Sequence, residues 1–371
     1  MKGSAALAAV FFFLAPLFGA AAEEGARREQ SVRVSTRVST KASLYSRVAA
    51  PFSVSTGGAA GLDFLLEGFG EKSSFRAGAR LSLLQGNEAA DLWRSLGLPG
   101  ARNDYLLMTP AFDPGASGPP SAIMALALED LALRGYAGSF SFEAGLSQVN
   151  WGAGKAFSPA DYFTDIDYSS GTVSRRPALM AKATWYPGPV SSLELVLTPS
   201  SRLGKALAMR GYSTIFDAAT IAVSAGLREA PGSSVGLLLG AAELSIDLPY
   251  ISPYGEATIT LDPGNAWKQE YSVMGGAETR IADLSLMGEY LFSPQGTAEH
   301  SVYAALAWKI DEWFSLAIPL LYVPSLESLS LGASLAASGS GSIQYKAGLS
   351  CEKSSGSDWL LGLVVQAALV L

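Results

Sequence analysis

Residues 148–163 read QVNWGAGKAFSPADYF. Gly152 and Gly154 beside Lys155 are the residue types a phosphate-cradling loop uses, because glycine lets backbone N–H groups come close to an anion. The third glycine of that pattern is missing, since Phe157 stands in its place, and no strand–helix–strand unit surrounds the motif. Nucleotide binding is therefore not the reading. His300 and Cys351 are the only residues of their kinds. A lone cysteine forms no internal disulfide and no cysteine zinc site. A lone histidine in TAEHS reads as a solvated side chain, although the simplest hydrolase would have to use it. No catalytic residue, cofactor or metal site is expected. The net charge of −7 argues against a nucleic-acid partner.

The remaining chemistry is charge. Asp161, Asp165, Asp167, Arg175 and Arg176 make a charged insertion over 150–176. Folded into a lumen, it would form a constriction with acidic and basic sides and set ion selectivity. Lying outside, it would be a solvated loop, and both readings stand at this stage. Arg76, Arg80, Glu143 and Lys182 are candidate pore residues, with Glu194, Glu278, Arg280, Asp283, Glu289, Lys346 and Glu352 on the same kind of face. Arg76 and Arg80, two pleats apart, are expected to pair with a neighbouring acid.

The elements that must position these charges show a period of two. In SLSLGASLAA, Leu329, Leu331, Ala333 and Leu335 alternate with Ser328, Ser330, Gly332 and Ser334. SIQYKAGLSCE and LLGLVVQAALVL repeat the pattern. Such segments are about ten residues long, the length that crosses a bilayer as a tilted strand. Mid-strand charge on a lipid face costs ~2–4 kcal/mol for Arg or Lys, so these charges point inward. Aromatics collect near segment ends, as interfacial girdles require: Trp151, Trp185, Tyr186, Tyr290, Phe292, Trp308, Trp313, Tyr322 and Trp359. With 49% hydrophobic and 16% charged residues, and no apolar run after residue 22 long enough for a spanning helix, the chain reads as an all-β transmembrane antiparallel barrel.

Residues 1–22 read as a cleaved Sec-type signal peptide: Lys2, an apolar run over 5–20, and an Ala20-Ala21-Ala22 cleavage site. Residues 23–371 then form one barrel. The charged opening stretch 23–41 is either a periplasmic lead-in (23–37) or the first strand. Alternation marks 17 segments, near 38–49, 58–67, 73–84, 121–133, 139–149, 177–186, 191–198, 217–228, 234–246, 254–261, 271–280, 282–292, 300–309, 312–322, 328–337, 341–351 and 357–371. An even count is expected, and strand directions assigned from the two ends collide between 199 and 270. The suspects are GKALAMRGY (204–212) and the irregular SIDLPYISPYGEAT. About 16 strands are expected, within 14–18. Long insertions fall at 86–120, where EAADLWRSL reads as a short amphipathic helix, at 150–176, and at 199–216. In the second, Trp151 is placed at the headgroup level, Gly152 and Gly154 take positive φ, and Ser158-Pro159-Ala160-Asp161 reads as a helix start with Ser158 as cap.

This stretch also carries a resemblance. Gln148, Trp151, Gly152 and Gly154, then Phe157, Pro159, Asp161 and Phe163, then Asp165, Asp167 and Arg175-x-Pro177-Ala178 resemble a signature of Gram-negative and spirochaete outer-membrane β-barrel proteins. The resemblance spans roughly 139–200 and implies a porin-like barrel. The reading is therefore an outer-membrane, porin-like channel for passive passage of small hydrophilic solutes or ions, not an enzyme. Its partners are outer-membrane lipid, the barrel-insertion machinery and the solute. The alternative is a non-conducting barrel with a structural or surface-binding role; a hydrolase is the third.

Overall fold

The computed structural model describes residues 31–47, 53–86, 89, 106–108, 122–163, 165–167, 174–200, 204–216, 218–229, 236–296, 298–338 and 343–370. The signal-peptide segment and most of 86–120 lie outside them. The chain forms one closed antiparallel barrel of 18 strands. They are β1 (Ser31–Arg47), β2 (Ser53–Phe69), β3 (Ser73–Gly86), β4 (Ala122–Ala137), β5 (Phe140–Ser147) and β6 (Ala178–Gly188). Then come β7 (Ser191–Ser200), β8 (Ala206–Ile215), β9 (Ala219–Glu229), β10 (Gly236–Ile246), β11 (Ser252–Asp262) and β12 (Lys268–Ile281). The last six are β13 (Leu284–Phe292), β14 (His300–Lys309), β15 (Phe314–Val323), β16 (Ser328–Ser338), β17 (Ile343–Lys353) and β18 (Leu360–Val370). Each pairs with its chain neighbours, and β1 closes the ring on β18, from Arg37↔Val370 to Arg47↔Leu360. Closure removes every free sheet edge, which lipid demands because it offers no hydrogen-bond partner.

The count stands at the top of the expected range. The added strand is β8, which falls on the suspect 204–212 and resolves the parity conflict. The start of β1 and the end of β18 now share one rim with the short turns, such as 138–139 and 282–283. At the other rim lie the strand ends Gly86 and Ala122, and Ser147 and Ala178, between which the two longest connections run.

The outward face explains the alternation. Along β16, Leu331 and Leu335 are exposed while Gly332 between them is buried; along β18, Leu361, Leu363 and Val365 are exposed around the buried Gly362. This pattern recurs around the barrel and makes an apolar belt far larger than the patches soluble proteins tolerate. Lipid is the solvent that accepts it. Among the described residues no helix is long and apolar enough to cross a membrane. Trp185, Tyr186, Tyr290, Trp308, Trp313, Tyr322 and Trp359 are all substantially exposed near strand ends, as expected of girdle residues.

Trp151 is the exception, and its expected headgroup position is wrong. Its side chain is 1% exposed and lies inside the barrel. The indole suits an interface and a lumen equally, since both offer an apolar body and a hydrogen-bond acceptor.

Candidate functional site: an inward loop held by carboxylates

After β5 the chain turns into the lumen. Residues 148–163 carry no regular element, and Trp151, Ala156, Phe157, Ala160, Tyr162 and Phe163 are all buried there. Two packing clusters seat them. Val149, Trp151, Ala160, Tyr162 and Phe163 meet Met180, Val196, Ala206, Ala208, Leu239 and Ala241, which are inward residues of β6, β7, β8 and β10. Ala156 and Phe157 meet Tyr254, Met274 and Tyr303 of β11, β12 and β14. Trp151 stands edge-on to Phe163 at 5.0 Å and to Tyr162 at 6.3 Å. Each large apolar side chain buried this way contributes roughly 1.5–3 kcal/mol to the seat.

Polar contacts fix its register. The Trp151 indole N–H donates to Glu194 Oε2 at 2.8 Å. Glu256 accepts from the N–H of Ala153 at 2.7 Å and of Ala160 at 3.2 Å. Glu289 accepts from three consecutive amides, Lys155 at 2.7 Å, Ala156 at 3.0 Å and Phe157 at 2.7 Å, and from the Tyr254 hydroxyl at 2.7 Å. Lys155 pairs through Nζ with Glu278. So the Gly-x-Gly loop does cradle an anion, but the anion is a carboxylate of the barrel wall. Successive N–H groups converging on one carboxylate form a nest.

The local backbone departs from expectation at two points. Gly152 takes φ +100, as a sharp departure from the strand requires. Gly154 has no positive φ; it is needed for space, because a Cβ there would stand 1.7 Å from the Phe157 carbonyl oxygen. No helix starts at Ser158. Its hydroxyl donates to the Trp151 carbonyl at 2.6 Å instead of capping, and residues 158–161 close a single turn through Asp161 N–H to Ser158 O at 3.0 Å. Asp161 accepts from Phe163 N–H at 3.2 Å rather than reaching back. The helix loses because the carboxylates of β11 and β13 compete for the amides that its first turn would free. Burial pushes the Tyr162 phenol up to about 12, so it stays protonated, and it accepts from Ser224 Oγ at 3.3 Å.

Several wall charges are paired. Arg80 bonds Asp63, with Nη2 to Oδ2 at 3.2 Å; Arg76 meets Asp130 at 2.8 Å and Glu67 at 3.5 Å. Glu143 holds Arg134 at 3.3 Å, Lys182 at 3.4 Å and Ser147 Oγ at 2.6 Å. Arg210 is gripped by Glu243, at 3.0 Å through Nε and 2.7 Å through Nη2, and lies 3.9 Å from Glu194. Asp165–Asp167 and Ser174–Arg176 form a two-stranded ribbon, Asp165 opposite Arg176, after the inward segment; the side chains of Asp165, Asp167, Arg175 and Arg176 lie outside the described residues. Gln148 and Pro159 flank the seated residues.

Sequence reading missed Arg210, Glu243 and Glu256. The signal was present, since each is a charge inside a strand, but Arg210 lay in a segment not counted as a strand, and Glu243 and Glu256 lay in counted segments (234–246 and 254–261) without being read as inward. His300 sits on the outward face, stacked on Phe292 at 5.2 Å and Tyr290 at 6.0 Å, with its Nδ1 2.6 Å from the Tyr290 hydroxyl. That places it in the aromatic rim, not in the lumen.

No family model and no curated protein matches this chain. Solved structures do. Pseudomonas aeruginosa OccK9 (OpdG) superposes with a TM-score of 0.58 at 8% identity, over 91% of this chain and 98% of that one. P. aeruginosa OpdK, solved with vanillate, gives 0.56 at 9% identity over 91% and 98%. Acinetobacter baumannii OccAB4 gives 0.55 at 8% identity over 92% and 99%. At such identities the likeness is one of fold.

Proposed function

We propose that this barrel is an outer-membrane channel for passive passage of small hydrophilic solutes or ions, its bore set by the inward loop 148–163. The observation that carries the reading is the asymmetric lumen. The loop is seated against β6–β14, while β16–β18 and β3 turn small and polar side chains inward: Ser330, Gly332, Ser334, Gln344, Ser350, Gln366 and the Arg80–Asp63 pair. A plug with no passage would have no reason to leave one wall smooth and hydrophilic. The barrels of this fold named above are outer-membrane porins, which supports the same reading. The signature over 139–200 and the signal-peptide pattern over 1–22 fit it: export by the Sec route, then assembly by the barrel-insertion machinery.

The test is a planar-bilayer recording of the purified protein. Discrete, ion-selective conductance steps are expected. A protein that shows the heat-dependent gel shift of a folded barrel, inserts, and passes no current with or without the loop's anchors would overturn the channel and leave the structural role.

A further inference from the structure

We propose that Glu256 and Glu289 form a pH-sensitive latch: as carboxylates they hold residues 153–160 in the lumen, and their protonation frees that segment and widens the passage. This rests on the channel reading above and adds its control.

Both carboxylates are buried, at 3% exposure each, and both are spent on peptide N–H groups of one segment. Among the described residues neither has a lysine or arginine within ion-pair distance. Four other interior acids differ: Glu143 holds Arg134 and Lys182, Glu194 and Glu243 share Arg210, and Glu278 holds Lys155. Glu143, Glu194 and Glu243 keep a wall cation whatever the loop does; the cation of Glu278 is the loop's own Lys155, so that pair is a further anchor of the segment. Glu256 and Glu289 depend on the loop, and the loop depends on them.

The surroundings favour a switch. Glu243 of β10 stands directly opposite Glu256, with Arg210 of β8 beyond it; Met274 of β12 stands on the other side, and Tyr254 is the next inward residue of β11. From the loop, Ala160 places Asp161 and Tyr162 nearby. Glu289 faces Gly276 of β12 and Tyr303 of β14 in register, the Tyr254 hydroxyl, and from the loop Lys155, whose ammonium is turned to Glu278. A protonated carboxyl must also donate. On Glu289, Oε2 already faces the N–H groups of Ala156 and Phe157, and Oε1 faces Lys155 N–H and the Tyr254 hydroxyl. A proton on either oxygen points at a donor; only Tyr254 could turn to accept it, and that gives up its own bond. Charge-assisted bonds, about twice the strength of neutral ones, become neutral at the same time.

The experiment uses the purified barrel, wild type and the variants E256Q, E289Q and E256Q/E289Q, with E312Q in an exposed turn as control. Each must show the gel shift of a folded barrel. Two readouts are taken at about pH 7.5 and about pH 4: single-channel conductance, and cleavage within residues 153–160 by papain, a thiol protease active at both pH values, normalised at each pH to its rate on an unfolded peptide. In wild type and E312Q, acid should raise conductance and cleavage several-fold. E289Q at the higher pH should behave as wild type does in acid, and the double variant should be open at both. A wild type flat in both readouts, or an E289Q as closed and as protected as wild type, would overturn the latch. Cleavage that rises with acid while no current flows at either pH would keep the latch and defeat the channel.

Discussion

The lumen wall has two different halves. Strands β6 to β14 turn Met180, Glu194, Val196, Arg210, Glu243, Glu256, Met274, Glu289 and Tyr303 inward, large or charged side chains that each touch the loop or a neighbour that does. Strands β16 to β18 turn Ser330, Gly332, Ser334, Gly348, Ser350, Gly362 and Gln366 inward, and no described loop residue packs on them. The first half is a core that happens to lie inside a barrel and follows core rules: close packing, and buried carboxylates that each meet either a cation or peptide N–H groups. The second half is a surface. Substitutions should therefore be expensive on one side and cheap on the other, and the difference can be broken or sharpened by mutation.

Arg210→Ala should cost most. The guanidinium is 14% exposed, bidentate on Glu243, and close to Glu194. Removing it strands two inward carboxylates, and breaking a buried pair costs ~3–5 kcal/mol. The urea midpoint of the detergent-solubilised barrel should fall accordingly, while Arg210→Met with Glu243→Leu recovers most of the loss. A single variant as stable as wild type would mean that this half is wet and not a core.

Trp151→Ala should come next and should act on the loop more than on the barrel. Phe or Trp to Ala in a core costs ~3–5 kcal/mol. Part of that is recoverable because the lumen can admit water to Glu194, whose indole donor is lost. Faster tryptic cleavage after Lys155 with an unchanged gel shift is the expected result. Unchanged cleavage would show that the carboxylates alone hold the segment.

Legibility in the sequence follows the same division. Local alternation gave the barrel and 17 of its strands, because an outward apolar residue against an inward serine or glycine is a contrast visible within ten residues. Strand β8 was only a suspect, since its inward Ala206, Ala208 and Arg210 and outward Leu207, Met209 and Gly211 differ little in polarity. The loop's seat was not legible at all. Ala153 meets a carboxylate 103 residues away and Lys155 one 134 residues away, and no local pattern encodes such a meeting. The glycines and the turn residues said that the chain bends at 152; only closure of the barrel says toward what.

Gly154→Ala probes that bend at lower cost. The new Cβ would overlap the Phe157 carbonyl oxygen at 1.7 Å and crowd the Met274 methyl at 2.5 Å, so the turn must open. Overpacking of this kind costs ~1–3 kcal/mol. The effect should appear as a shorter open-state dwell or altered conductance with little change in the urea midpoint, because the barrel strands are untouched. A midpoint shift as large as that of Arg210→Ala would mean that loop and wall unfold as one unit.

The smallest effect on stability belongs to the smooth half, and there the channel reading is most exposed. Lys346 is an exposed inward residue of β17, opposite Gln366 of β18 and Ala336 of β16, with no ion pair among the described residues. Lys346→Glu removes no packing, so stability should stay within about 0.5 kcal/mol. If solutes pass along this wall, reversing that charge shifts the reversal potential under a salt gradient toward cations, because a ring or stripe of wall charge sets selectivity. The stability and selectivity readouts would then divide the molecule in two: variants of β6–β14 move the urea midpoint, and this one moves the reversal potential alone. A Lys346→Glu channel with wild-type selectivity would place the passage elsewhere, against the loop itself.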